Sequence, residues 1–146
     1  MNSGATGKPS PQQVIKARHD LRNPLAHILG FSEMLADHAR KQGRRDLRAD
    51  SLEINATAEQ ILAQVNQSLD ASKIEAGQSD IPRLQEHVQT LAAQILTLTQ
   101  NASRKFGPLQ DDVITNDLAR IAGAAQKLIE LAGSTLTPLH GSPRSR

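Results

Sequence analysis

The sequence predicts an all-α protein, an antiparallel four-helix bundle made of two helical hairpins, and three observations carry that prediction. Apolar residues recur with the alternating three-four step of a helix in four separate stretches. Prolines 11, 82 and 108 stand near element starts and glycines 43, 77, 107 and 133 near element ends, the asymmetry that helices impose. The 146 residues include two Phe and no Tyr or Trp, so a core has to be built from Leu, Ile, Val and Ala, as in an up-down-up-down bundle with short connections.

The opening "MNSGATGKPS" is polar, and residues 1–9 are expected to be a flexible N-terminus. The first helix, 10–42, begins on Ser10-Pro11-Gln12-Gln13, a capping-box pattern in which the Ser10 hydroxyl and the Gln13 amide serve orphan groups of the first turn. Its stripe is Val14, Leu21, Leu25, Ile28, Ser32 and Leu35. The second, 46–76, carries Ile54, Ala58, Ile61, Val65, Ser68 and Ser72, with Leu62 and Leu69 alongside. The third, 81–105, carries Leu84, Val88, Leu91, Ile95, Leu98 and Ala102. The fourth, 110–132, carries Ile114, Leu118, Ile121, Ala125, Leu128 and Ala132. Residues 10–77 thus form one hairpin and 78–133 a second, joined by the short linker Gln78 to Ile81, and 134–146 read as a flexible C-terminal tail.

Seventeen basic and fifteen acidic residues are interspersed and leave a formal charge of only +2, which makes no case for nucleic acid or membrane as a partner. The absence of cysteine excludes disulfides, thiolate metal sites and thiol nucleophiles. With no signal peptide and no long apolar run, a cytoplasmic location is expected. No metal or cofactor site is legible, since His19 and His27 lie about 12 Å apart along a straight helix. The basic group Arg40, Lys41, Arg44, Arg45 and Arg48 is interrupted by Asp46 and Asp50 and reads as a solvated loop and helix start.

An offset of 67 residues places Leu21, Leu25, Ile28 and Leu29 on Val88, Ala92, Ile95 and Leu96, and Ile54, Ala58, Ile61 and Leu62 on Ile121, Ala125, Leu128 and Ile129. This is either an internal repeat or the register that any two amphipathic hairpins can find. The chemistry does not repeat: Glu86, His87, Gln89 and Leu91 stand where His19, Asp20, Arg22 and Pro24 stand in the first hairpin.

Those four residues, with Asn23, are the chemically loaded part of the chain. Proline costs about 3 kcal/mol in a helix interior, yet Pro24 sits within one. At about 100 degrees per residue, His19 points nearly opposite the apolar stripe, with Asn23 beside it and Arg22 not far off. An exposed imidazole next to a carboxylate is a candidate nucleophile, although an ordinary surface histidine is the commoner outcome.

The run "HDLRNPL", residues 19 to 25, resembles the H-box of two-component sensor histidine kinases: His, an acid, any residue, a base, any residue, Pro, Leu. The continuation "AHILGFSEML" is similar to the rest of that family's first helix, and "ILAQVNQSLDASKIEAG" resembles the end of its second. Residues 14–77 carry the resemblance well and 81–133 only as a degenerate second hairpin. The resemblance, to a dimerisation and phosphoacceptor domain, implies that His19 is the phosphoacceptor, Asp20 its acid/base partner, Arg22 and Asn23 neighbours of the phosphoryl group, and Pro24 a helix kink. It implies a response regulator receiver domain or a histidine kinase as partner, with the receiver supplying metal and acceptor aspartate. Arg18 departs from the Ser common at that position.

Residues 78 to 146 contain no ATP-binding segment and no P-loop, so no autonomous kinase activity is expected and no cofactor is called for. The expected function is a histidine phosphotransfer module of two-component signalling, carrying a phosphoryl group on His19 between a kinase or receiver and a response regulator. The alternative is a non-catalytic module that binds or inhibits a kinase or regulator by imitating the dimerisation hairpin. Donor, acceptor, signal and output are not legible. Two assemblies fit: a pseudo-dimer within one chain, or a homodimer. The remaining histidines, His27, His38, His87 and His140, lack an H-box and are expected to be ordinary surface or tail residues.

Overall fold

A computed structural model describes residues 9–140. Five α-helices are found among the described residues: α1 (Pro11–Lys41), α2 (Arg45–Ser68), α3 (Ala71–Glu75), α4 (Ile81–Phe106) and α5 (Asp112–Leu136). The four long ones form a closed antiparallel bundle in which α1 packs on α2 and α5, and α4 on α5 and α2. The capping box is present: Gln13 N donates to Ser10 Oγ, and Ser10 N to Gln13 Oε1. The α1–α2 turn is closed by Gly43 in the left-handed region (φ 70), where the Arg44 amide donates back to the Ala39 carbonyl.

The core is aliphatic. Leu21, Leu25, Ile28, Leu35, Ile54, Ile61, Ile95, Ile121 and Leu128 are fully enclosed. Each buried methylene contributes about 0.8 kcal/mol. The buried hydroxyls of Ser32, Ser51 and Thr99 each donate to a carbonyl three or four residues earlier. Asn55 Nδ2 ties α2 to α1 by donating to the Leu29 carbonyl and to Ser32 Oγ.

Burial repeats at the 67-residue offset. Ala17, Leu21, Pro24, Leu25, Ile28 and Ser32 are buried, and so are Leu84, Val88, Leu91, Ala92, Ile95 and Thr99; Leu47, Ile54, Ala58, Ile61 and Leu69 correspond in the same way to Ile114, Ile121, Ala125, Leu128 and Leu136. Solvent-facing grooves repeat as well. One between α1 and α5 is lined by Asn23, His27, Phe31 and Arg120; its counterpart between α2 and α4 is lined by Thr90, Gln94, Leu98 and Glu53.

Two expectations need correction. The second helix does not run to residue 76: it stops at Ser68, and α3 starts again after Asp70, whose Oδ1 accepts from the amides of Ser72 and Lys73. That local cap competes with helix continuation. The break turns Leu69 and Ile74 into the core in place of Ser68 and Ser72, which a straight helix would have buried. The second correction concerns the C-terminal tail, expected from residue 134. Helix α5 runs to Leu136 and is followed by a 3-10 turn, Thr137–His140, with Leu136 and Leu139 buried. Gln85 of α4 holds this end, donating to the Ala132 carbonyl and Thr137 Oγ1 while its Oε1 lies 2.6 Å from His140 Nε2. The rest of the expected tail, 141–146, and residues 1–8 lie outside the described residues. Among the described residues no helix is long and apolar enough to cross a membrane.

Candidate functional site

Helix α1 continues through Pro24 without ending. Residues 19, 22 and 23 lie on its exposed side, whereas Pro24 is buried beside Leu25. His19 and Asn23, four apart, therefore share a face separated by one turn. The Pro24 ring belongs to the core side of the helix, so the exposed face keeps the imidazole and amide while the proline removes one backbone donor from the turn beneath them.

Asp20 is placed differently from a simple His–Asp pair. Its Oδ2 lies 2.8 Å from Lys16 Nζ, one turn earlier, with the carboxylate 27% exposed. The neighbouring Arg18 reaches across to α2, its Nη1 donating to the Leu69 carbonyl at 3.3 Å. Arg18 thus satisfies a carbonyl freed by the α2–α3 break and braces the turn that carries His19.

The groove between α1 and α5, about 390 Å3, begins at Asn23 and adds two cations that sequence reasoning missed, Arg120 and Lys127 of α5. The Arg120 guanidinium lies 5.3 Å from the Phe31 ring centroid and 3.7 Å from the Asp117 carboxylate. Their spacing of seven marks one exposed helix face, but only the α1–α5 packing puts that face beside the H-box helix. Asp117 is enclosed, its Oδ2 without a hydrogen-bond partner, and burial pushes its carboxyl above the usual range against the opposing pull of Arg120.

Two of the other histidines are not ordinary surface residues. His38 is half-buried, with Nε2 3.0 Å from Asp111 Oδ2. Gln42 donates to the same oxygen, while Asp111 Oδ1 caps α5 by accepting from the amides of Val113 and Ile114. The His38 and Gln42 contacts hold the Asp111 carboxyl far below the usual carboxylate range. His87 is half-buried and its Nε2 is enclosed without a partner. His27 is exposed, with its ring 6.4 Å from that of Phe31, and His140 is the contact of Gln85 already described.

Over 125 residues the chain is 39% identical to a protein named cell-division control histidine kinase PdhS from Brucella anthropi, covering 85% of this chain and 12% of that protein. It is 45% identical over 69 residues to the protein of the same name from Brucella ovis, covering 47% of this chain and 7% of that protein. The non-motile and phage-resistance protein of Caulobacter vibrioides is 29% identical over 145 residues, 94% of this chain and 17% of its own length. The chain therefore spans a small part of these relatives, and its likeness to two of them reaches past the first hairpin. No solved structure matches. The family model described as the His Kinase A (phospho-acceptor) domain matches residues 12–77, α1 through α3, and that part of the chain belongs to this family.

Proposed function

We propose that this chain is a phosphotransfer module of two-component signalling in which His19 accepts a phosphoryl group from a kinase or a phosphorylated receiver and passes it to a response regulator. The observation that carries the reading is the H-box on an exposed face of α1, inside a segment that belongs to the phosphoacceptor family. One ring nitrogen of neutral His19 attacks phosphorus, the bond from phosphorus to the aspartyl oxygen of the donor receiver breaks, and the donor keeps a free carboxylate. Charge at the transferring group is met by nearby cations: Arg22 lies on the same helix, and Arg120 and Lys127 line the adjoining groove. Asp20 orients the imidazole or takes its proton once released from Lys16, and Asn23 positions the phosphoryl group or an attacking water.

The second hairpin takes the place that an identical subunit holds in a symmetric kinase dimer. It contributes two helices to a closed bundle and offers Glu86 where the first offers His19, so one chain carries one acceptor. The test is incubation with phosphorylated receiver domains and with histidine kinases, followed by detection of label on this chain. Label is expected to be acid-labile and base-stable, lost in His19→Ala and kept in His87→Ala. Label that survives His19→Ala overturns the assignment, and binding without any label favours the non-catalytic module.

A further inference from the structure

Two cavities occupy equivalent places in the two hairpins and differ in charge. The first, about 210 Å3, lies between the start of α1 and the end of α5 and is lined by Gln13, Lys16, Asp20 and Leu139. Lys16 and Asp20 pair across 2.8 Å, so it is neutralised from within, and Leu139 of the terminal turn is buried beside it. The second, about 440 Å3, lies among the end of α2, α3 and the start of α4. The 67-residue offset carries Lys16 to Arg83 and Asp20 to His87, so the carboxylate of the pair has become an imidazole while the cation remains. Helix α3 adds Lys73.

The second cavity therefore carries two cations, Lys73 and Arg83, against one carboxylate, Asp80, and is net positive. Among the described residues neither Lys73 nor Arg83 has a carboxylate within ion-pair distance, although Asp70 is near enough to Lys73 for its carboxyl to be lowered in part by that charge. Asp80, the one acid on its wall, spends Oδ1 on the Arg83 amide as the cap of α4. His87 lines the same wall and holds an enclosed Nε2 without a partner. The remaining wall is polar, with Gln64, Gln67 and Gln78 supplying amides. Guanidinium and ammonium beside a polar space suit the oxygens of a phosphate, and the volume falls in the range of small-ligand sites.

We propose that this cavity binds a small phosphate-bearing anion, held by Arg83 and Lys73 with His87 behind them. The site is independent of His19 and stands or falls apart from phosphotransfer. It is tested by titrating the full chain, labelled with nitrogen-15, with inorganic phosphate and with pyrophosphate at constant ionic strength, chloride serving as the control. Saturable shifts are expected in the amides of Lys73, Gln78 to Leu84 and His87, at lower concentration for pyrophosphate. Arg83→Gln and Lys73→Gln should each weaken binding about tenfold, as loss of one charge-assisted contact does, and Lys16→Gln at the equivalent position of the first cavity should leave it unchanged. Both weakening variants replace solvent-reachable side chains, and circular dichroism verifies their fold. Shifts that grow linearly as with chloride, or binding that survives Arg83→Gln and Lys73→Gln together, overturn the proposal.

Discussion

Asp20 and Asp111 are both carboxylates beside a basic partner, and their surroundings give them different work. Asp20 is partly exposed and held only by Lys16, so it can be released at small cost, since exposed ion pairs contribute about 0 to 1 kcal/mol. Asp20→Asn is expected to slow labelling of His19 by at least about a hundredfold, the lower range of general acid–base catalysis, while thermal unfolding stays near the parent. Unchanged transfer would remove Asp20 from the mechanism. Asp111 is structural, serving a helix cap with one oxygen and two side chains with the other. Its Ala variant should lose about 1 to 2 kcal/mol at neutral pH, the scale of an N-cap deletion. Because the folded-state carboxyl titrates below its ordinary 3.8, this contribution is complete above that pH and fades as pH falls further, so parent and variant converge in acid. Asp117 has the opposite sign: burial raises its carboxyl, so ionisation costs stability, and Asp117→Asn should be more stable than the parent above about pH 4 and no better below it. Denaturant melts at several pH values read both.

At the scale of elements, the break between α2 and α3 calls for the closest test, because it ends the first hairpin and touches Arg18 next to His19. Asp70 supports it through the amides of Ser72 and Lys73. Replacing Asp70 by Ala should cost about 1 kcal/mol and raise hydrogen exchange in Ala71–Glu75, leaving the amides of α4 and α5 protected. Uniform loss of protection would mean that α3 is not a separable cap. The helices themselves were legible because each has one apolar stripe and recognisable ends: Ser10 and Gln13 form the predicted box, and the four stripes lie inward along most of their length. The break was not legible. A three-four pattern continues through Ser68 and Ser72 as well as through Leu69, and local propensity does not say whether Asp70 will cap a new helix or ride on an old one. The C-terminal turn was missed for a related reason, since Leu136 and Leu139 stand in an otherwise polar stretch and their burial depends on Gln85 of a different helix.

For the molecule as a whole, four helices in one chain close the core that a symmetric dimer would otherwise share between two. Linkage through the short connection Gln78 to Ile81 gives the second hairpin an effective concentration in the millimolar range or above, so dilute protein should scatter light as a compact monomer and carry at most one phosphate by mass spectrometry. Leu25→Asp, which buries a charge inside that core, should unfold the monomer, at a cost above about 4 kcal/mol. A stable dimer that the same change dissociates into folded monomers would overturn the single-chain arrangement. The sequence by itself determined the fold class, the four amphipathic faces, the 67-residue register and the H-box, because helix periodicity and a contiguous motif are local properties of the chain. Only the tertiary structure decided that Asp20 rests on Lys16, that Arg120 and Lys127 line a groove beside the H-box helix, that His38 locks onto Asp111, and that Arg83, Lys73 and His87 line one cavity. Each of these pairs side chains according to how far a helix is rotated and which neighbour it meets, and that is fixed by packing of the whole core, not by any stretch of sequence.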